Sequence, residues 1–186
     1  MAYEEPRYAV IKRDGDFELR RYEPYIIAEI EVRASLEEAG NAAFRPLANY
    51  IFGENRNAEK MEMTAPVAQT PKGEKIGMTT PVMQSPGKEG LYVVSFVMPS
   101  RYTLATLPKP KDERIHFREV PAALVAAWRY RGTWSRSNYE QAEQALRAAI
   151  AKARLTALRP PVWARYNPPF WPWFLRRNEI LVEVRQ

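Results

Sequence analysis

Phe17-Glu-Leu-Arg-Arg-Tyr22, then Pro24, then Tyr25-Ile-Ile-Ala-Glu-Ile-Glu-Val32 form a phrase that the chain writes twice. Alternating side-chain character in the first run and β-branched enrichment in the second predict two strands. The proline between them cannot donate to a ladder, so a tight connection is expected there. Ser35-Leu-Glu-Glu38 follows as a capping box, the serine oxygen accepting from the first free amides and the glutamate reaching back. It opens a helix with Leu36, Ala39, Ala43, Leu47, Tyr50 and Ile51 on one face. Pro46 predicts a kink or break in that helix, and Gly53 a stop.

Ile115-His-Phe-Arg-Glu-Val120, Pro121 and Leu124-Val-Ala-Ala-Trp-Arg-Tyr130 repeat the phrase. Ser137-Asn-Tyr-Glu140 is a second capping box, before a helix with Tyr139, Ala142, Leu146, Ala149 and Ile150 facing inward. The prolines stand 121 − 24 = 97 residues apart and the serines 137 − 35 = 102, an offset that drifts by five. One domain over 1–186 is expected, built from repeats at 8–100 and 112–186 with a cleft between them.

Between the helices, Lys60-Met-Glu-Met-Thr-Ala-Pro-Val67 and Lys75-Ile-Gly-Met-Thr-Thr-Pro-Val82 share a K-x-x-M-T-x-P-V pattern. Their prolines predict bent or edge strands. Tyr92–Met98 reads as a further strand, Leu107-Pro-Lys-Pro-Lys111 as a stiff linker, and Ile180–Val184 as a terminal strand. Met61, Met63, Met78, Met83 and Met98 are five of the six methionines. Such soft side chains suit either a pocket for a flat apolar ligand or the filling of a sheet interior.

Composition removes much ordinary chemistry. With 186 residues, 46% apolar and 27% charged, the chain can bury a real core. There is no cysteine, which excludes disulfides, thiolate metal sites and cysteine nucleophiles. The single histidine, His116, excludes a multi-histidine centre. No nucleophile–base pair shows at any spacing, so a binding protein rather than an enzyme is expected. The first residues carry acids and no apolar run, and the longest apolar stretch, 121–128, falls far short of a membrane span. A soluble, cytoplasmic chain with no membrane partner is the expectation. Net charge is 28 − 22 = +6, most of it in residues 151–186 beside Trp163, Trp171 and Trp173. An anion site or a basic solvated segment would both account for it. Nucleic acid is the less favoured partner, because the proline-locked setting of the tryptophans suggests packing.

The doubled M-T-x-P-V, Phe96-Val-Met-Pro-Ser100-Arg-Tyr, Leu107-Pro-x-Pro and Ala164-Arg-Tyr-Asn-Pro-Pro169 with Arg176-Arg177-Asn178-Glu179 resemble the SOUL haem-binding protein family from Tyr8 to Val184. The resemblance implies an α+β fold: a distorted antiparallel β-barrel of about eight strands with two flanking helices, similar to gyrase inhibitor-like effector-binding domains. It implies non-covalent binding of haem or another tetrapyrrole for buffering or transport, without catalysis and with no axial ligand identified. Family positions fall on Asn41, Ala48 and Asn49 of the first helix and on Trp171 of the terminal loop. Arg21 stands where one branch of the family carries its iron-ligating histidine. Phe44, Arg45, Met61, Met63 and Arg176 complete the expected tetrapyrrole set, with Lys60 and Arg177 as further cations for the propionates. Glu179 occupies the place of a pocket glutamate in the gyrase inhibitor-like relatives, so a module for cationic aromatic compounds is the alternative. No metal ligand is assigned.

Overall fold

The computed structural model describes residues 4–56, 75–87, 90–167 and 170–186. In chain order the elements are β1 (Tyr8–Asp14), β2 (Phe17–Tyr22), β3 (Tyr25–Arg33), α1 (Ala39–Ile51), β4 (Asn55–Arg56), β5 (Val82–Pro86), β6 (Leu91–Val97) and β7 (Lys109–Pro110). There follow β8 (His116–Val120), β9 (Ala123–Tyr130), α2 (Arg136–Lys152), β10 (Thr156–Ala157), β11 (Val162–Arg165), a 3-10 turn (Trp173–Leu175) and β12 (Asn178–Arg185).

These strands build a large antiparallel sheet in the order β1-β2-β9-β12-β11-β5-β6-β3-β8, with β10 added on β12, while β4 and β7 pair separately. Among the described residues the sheet therefore has ten strands, where about eight are expected. Its path ends at β1 and β8, and no ladder among the described residues joins those two edges. The prolines at 24 and 121 do more than tighten a turn. β2 and β3 do not pair with each other: β2 lies between β1 and β9, and β3 between β6 and β8. Between β2 and β8 the order reads the same from either end if β2 is exchanged with β8, β3 with β9, β5 with β11 and β6 with β12.

Each helix covers one arm. Ala39, Ala43, Leu47 and Ile51 of α1 pack on Ala28, Ile30, Val94 and Phe96. Tyr139, Ala142, Leu146 and Ile150 of α2 pack on Phe17, Leu19, Ala126, Ile180 and Trp163. A third cluster, with Ile27, Met83, Val97, Ala127, Ala164 and Leu181, lies apart from these two. Helix α1 runs on through Pro46 rather than breaking. The proline removes the bond to the Ala42 carbonyl, but Ala42 is exposed, so water can replace the donor. Ser35 Oγ accepts from the Glu38 amide at 3.3 Å, but in a turn ahead of the helix: α1 begins at Ala39 behind Glu38, which makes no side-chain cap bond, and Gly53 follows the helix at φ 113°. At α2 the cap is Ser135, which accepts from Asn138 N at 3.4 Å, so Ser137 lies inside the helix.

Candidate functional site

β5 and β11 meet where the two arms join, and Arg165 stands opposite Val82 there. Although charged, Arg165 is only 6% exposed. Its Nε donates to Tyr139 Oη at 3.0 Å and its Nη2 to Gln84 Oε1 at 3.3 Å. The guanidinium lies 4.6 Å from the centre of the Trp134 ring, a cation–π contact. Trp134 is fixed in turn, its indole N–H donating to Asn178 Oδ1 at 2.8 Å while Asn178 Nδ2 donates to Gly132 O. No carboxylate pairs with Arg165 among the described residues. A buried cation held only by neutral groups is unusual, because charges removed from water normally find an opposite charge.

Arg165 opens onto a cavity of about 180 Å³ lined also by Phe44, Phe96, Met78, Val82, Trp134 and Tyr166. Phe44 and Phe96 set their ring centroids 5.6 Å apart along one wall. Gly40 of α1 makes room for the cation: a Cβ built there would come 2.3 Å from Arg165 Nη1. Gly40→Ala should therefore push the guanidinium out of place, lowering stability by about 1–3 kcal/mol as overpacking does. Urea unfolding measures this, and an unchanged midpoint would mean that the guanidinium moves aside freely.

A second polar centre surrounds Glu179, which sits opposite Ala164 in the β11–β12 ladder, one position from Arg165 and so on the other face of the sheet. Its carboxylate is completely buried. Arg20 donates to it twice, at 2.6 and 2.9 Å, Tyr166 Oη once at 2.8 Å and Arg177 Nε once at 3.0 Å. Burial alone would raise the Glu179 carboxyl, but the bonds and charge of Arg20, then of Arg177, and the Tyr166 hydroxyl hold it below its ordinary value. Burial pushes the Tyr166 phenol well up, the Glu179 charge adding to this, so it stays a donor. Arg177 also pairs with Glu5 at 2.9 Å.

The residues expected from the sequence do not converge on one place. Asn41 and Phe44 line the Arg165 cavity. Arg45 and Asn49 line a separate depression with Glu54 and Asp112, and Asn49 donates to Glu54. Ala48 is buried in the α1 core. Trp171 is exposed, and Arg176 donates to its carbonyl while stacking on Trp134. Glu179 is closed within its own network, and Met61, Met63 and Lys60 lie outside the described residues. Arg21 and His116 are exposed. Sequence reasoning passed over Arg165, Gly40, Phe96 and Trp134. The available signal was an arginine set between Trp163, Ala164 and Tyr166 on a short buried strand.

A larger cleft of about 600 Å³ lies elsewhere, between Glu4–Arg7, Glu23–Ile26 and Val97–Ala105, with Glu119 at its wall. Its acids give it the opposite electrostatic character to the Arg165 cavity.

Comparison with known proteins gives a consistent outline. A family model described as "SOUL heme-binding protein" matches residues 3–183. A search of curated proteins finds no match. Among solved structures, the C-terminal domain of EcmrR is similar at a TM-score of 0.64 and 12% identity, over 96% of this chain and 98% of that one. A structure titled as a hydrolase from Listeria innocua is similar at a TM-score of 0.56 and 9% identity, over 100% and 94%. SAV2435 bound to tetraphenylphosphonium is similar at 0.51 and 8% identity, over 91% and 93%. At these identities the likeness is one of fold.

Proposed function

Since the chain belongs to the SOUL heme-binding protein family, we propose that it binds haem or a related tetrapyrrole non-covalently, for buffering or transport and without catalysis. The observation that carries this reading is Arg165, a buried cation with no carboxylate partner among the described residues, facing an aromatic-lined cavity. A tetrapyrrole brings both complements, a flat apolar ring and carboxylates at its edge. The fit is partial. At about 180 Å³ the cavity is smaller than the roughly 300–1,000 Å³ of sites that enclose a ligand. It suits the propionate edge, while the rest of the ring would lie along Phe44 and the exposed side of α1. Among the described residues no imidazole lines it, and the one soft donor there is the Met78 thioether. Iron coordination therefore has no part in this proposal.

Glu179 gives the cationic-ligand alternative little to work with. Its four accepted hydrogen bonds match the roughly four lone-pair sites of a carboxylate. We further read the mirrored strand order as the trace of an internal duplication over 8–100 and 112–186, curved toward a barrel.

Haemin titration, followed by Soret absorbance and tryptophan quenching, tests the function. One saturable equivalent at micromolar concentration is expected, since area burial at about 25 cal/mol per Å² suffices after association costs. His116→Ala should leave the curve unchanged. Absence of saturation would refute tetrapyrrole binding, and loss in the variant would move the site to β8.

A further inference from the structure

The guanidinium of Arg165 has more N–H donors than the fold uses. Nε donates to Tyr139 and Nη2 to Gln84, while Nη1 donates to no group among the described residues. Nη1 lies against Gly40 of α1, near enough that a Cβ there would come 2.3 Å from it, and Gly40 itself lines the cavity. The unused donors therefore lie where α1 borders the open space. Nη1 and the second N–H of Nη2 form the pair that a carboxylate takes with both oxygens.

Size and walls narrow the ligand further. At about 180 Å³ the space slightly exceeds the roughly 150 Å³ of an apolar cavity that takes up one benzene ring. Phe96 is buried at 3% exposure, and Phe44, 38% exposed, borders solvent, so a ring entering past α1 meets two aromatic faces. Met78 and Val82 complete the apolar lining, and Arg165 is the only charged side chain among the described residues that line the cavity. A cationic ligand would thus meet its own charge, and a neutral one would leave the buried cation without compensation. We propose that this cavity is a complete site for a free monocarboxylic acid carrying one aromatic ring. Its carboxylate meets Nη1 and Nη2 of Arg165, and its ring packs against Phe44 and Phe96.

The inference shares with the tetrapyrrole reading the assignment of Arg165 as a carboxylate site, but it does not need a tetrapyrrole. A porphyrin would place only its edge here, whereas a single-ring acid is enclosed whole. The two ligand classes can therefore be told apart by separate titrations.

The test titrates the whole chain with phenylpropanoate, its primary amide and phenethylamine by calorimetry, with tryptophan fluorescence alongside because Trp134 lines the cavity. Phenylpropanoate should saturate one site with a Kd of about 0.1–1 mM, in keeping with so small a ligand. The amide should bind about tenfold more weakly or worse, and the amine should not bind. Arg165→Met should bind acid and amide equally weakly, with its melting temperature measured in parallel. The comparison of acid with amide on wild type needs no variant, so a misfolded Arg165→Met would still leave a decision. Three results would overturn the proposal: no saturation by phenylpropanoate, equal affinity of wild type for acid and amide, or a preference for the acid that survives in a folded Arg165→Met. Saturation by phenylpropanoate without saturation by haemin would uphold this site and refute the tetrapyrrole reading; the reverse would overturn this proposal alone.

Discussion

Glu179→Gln is expected to cost about 3 kcal/mol of folding stability, the lower end of the range for breaking a buried ion pair, because Arg20 and Arg177 lose their shared buried carboxylate but keep Glu18 and Glu5. Arg20 bears most of that penalty, being itself buried and held by Glu179 at 2.6 and 2.9 Å, with the part-buried Glu18 at 2.7 Å as its remaining carboxylate. Replacing both, Arg20→Met with Glu179→Leu, should recover part of the loss by removing both desolvated charges together. The pH dependence has a definite sign. In the folded protein the Glu179 carboxyl lies below its ordinary value of 4.5. Its contribution is therefore present above that value and is lost as pH falls through the lower folded one. Wild-type stability should decline on acidification, and Glu179→Gln should flatten that decline. Urea midpoints across the acid range measure both effects. A variant as stable as wild type, with the same acid slope, would show that the network contributes no net stability.

Arg165→Met should weaken binding of a free-acid porphyrin by roughly 10- to 100-fold, the equivalent of losing one charge-assisted hydrogen bond of about 1.5–3 kcal/mol. Stability should behave differently. Arg165 donates to Tyr139 and Gln84 but has no carboxylate partner among the described residues, so Met removes a desolvation cost along with two modest bonds. A change within about 1.5 kcal/mol is expected, with either sign. Arg165→Lys should fall between wild type and Met, since it keeps the charge and loses the planar face stacked on Trp134. The contrast with Glu179 is informative: one charge is neutralised within the fold, while the other has no carboxylate partner among the described residues.

Much of this fold is legible locally. The strands at 17–22, 25–33 and 123–130 follow from side-chain periodicity within a residue or two, as does the start of α2, while α1 begins three residues later than a cap at Ser35 implies. What is not legible is long-range. Nothing local says that β2 and β3, joined by Glu23 and Pro24, separate to different neighbours in the sheet. β1 escapes detection because Val10 and Ile11 face solvent on an edge strand, so its apolar residues report no buried face. Ser135 and Ser137 both offer a capping oxygen, and the helix begins at the earlier one. The same limit explains the site. Arg165 reads as one more cation in a basic tail until the sheet sets it between Gly40 of α1 and Tyr139 of α2. Family positions on α1, by contrast, divide between two depressions, Asn41 lining one and Asn49 the other.

The reading rests on a carboxylate meeting Arg165, and chemical masking of that carboxylate tests it most directly. Protoporphyrin and its dimethyl ester present the same ring with and without the charge, and each can be titrated against wild type and Arg165→Met by tryptophan quenching. Wild type should favour the free acid by about tenfold or more, and the variant should bind acid and ester equally weakly. Equal affinity of wild type for acid and ester, or a preference for the acid that survives in the variant, would contradict the assignment of Arg165 as the group that holds the ligand.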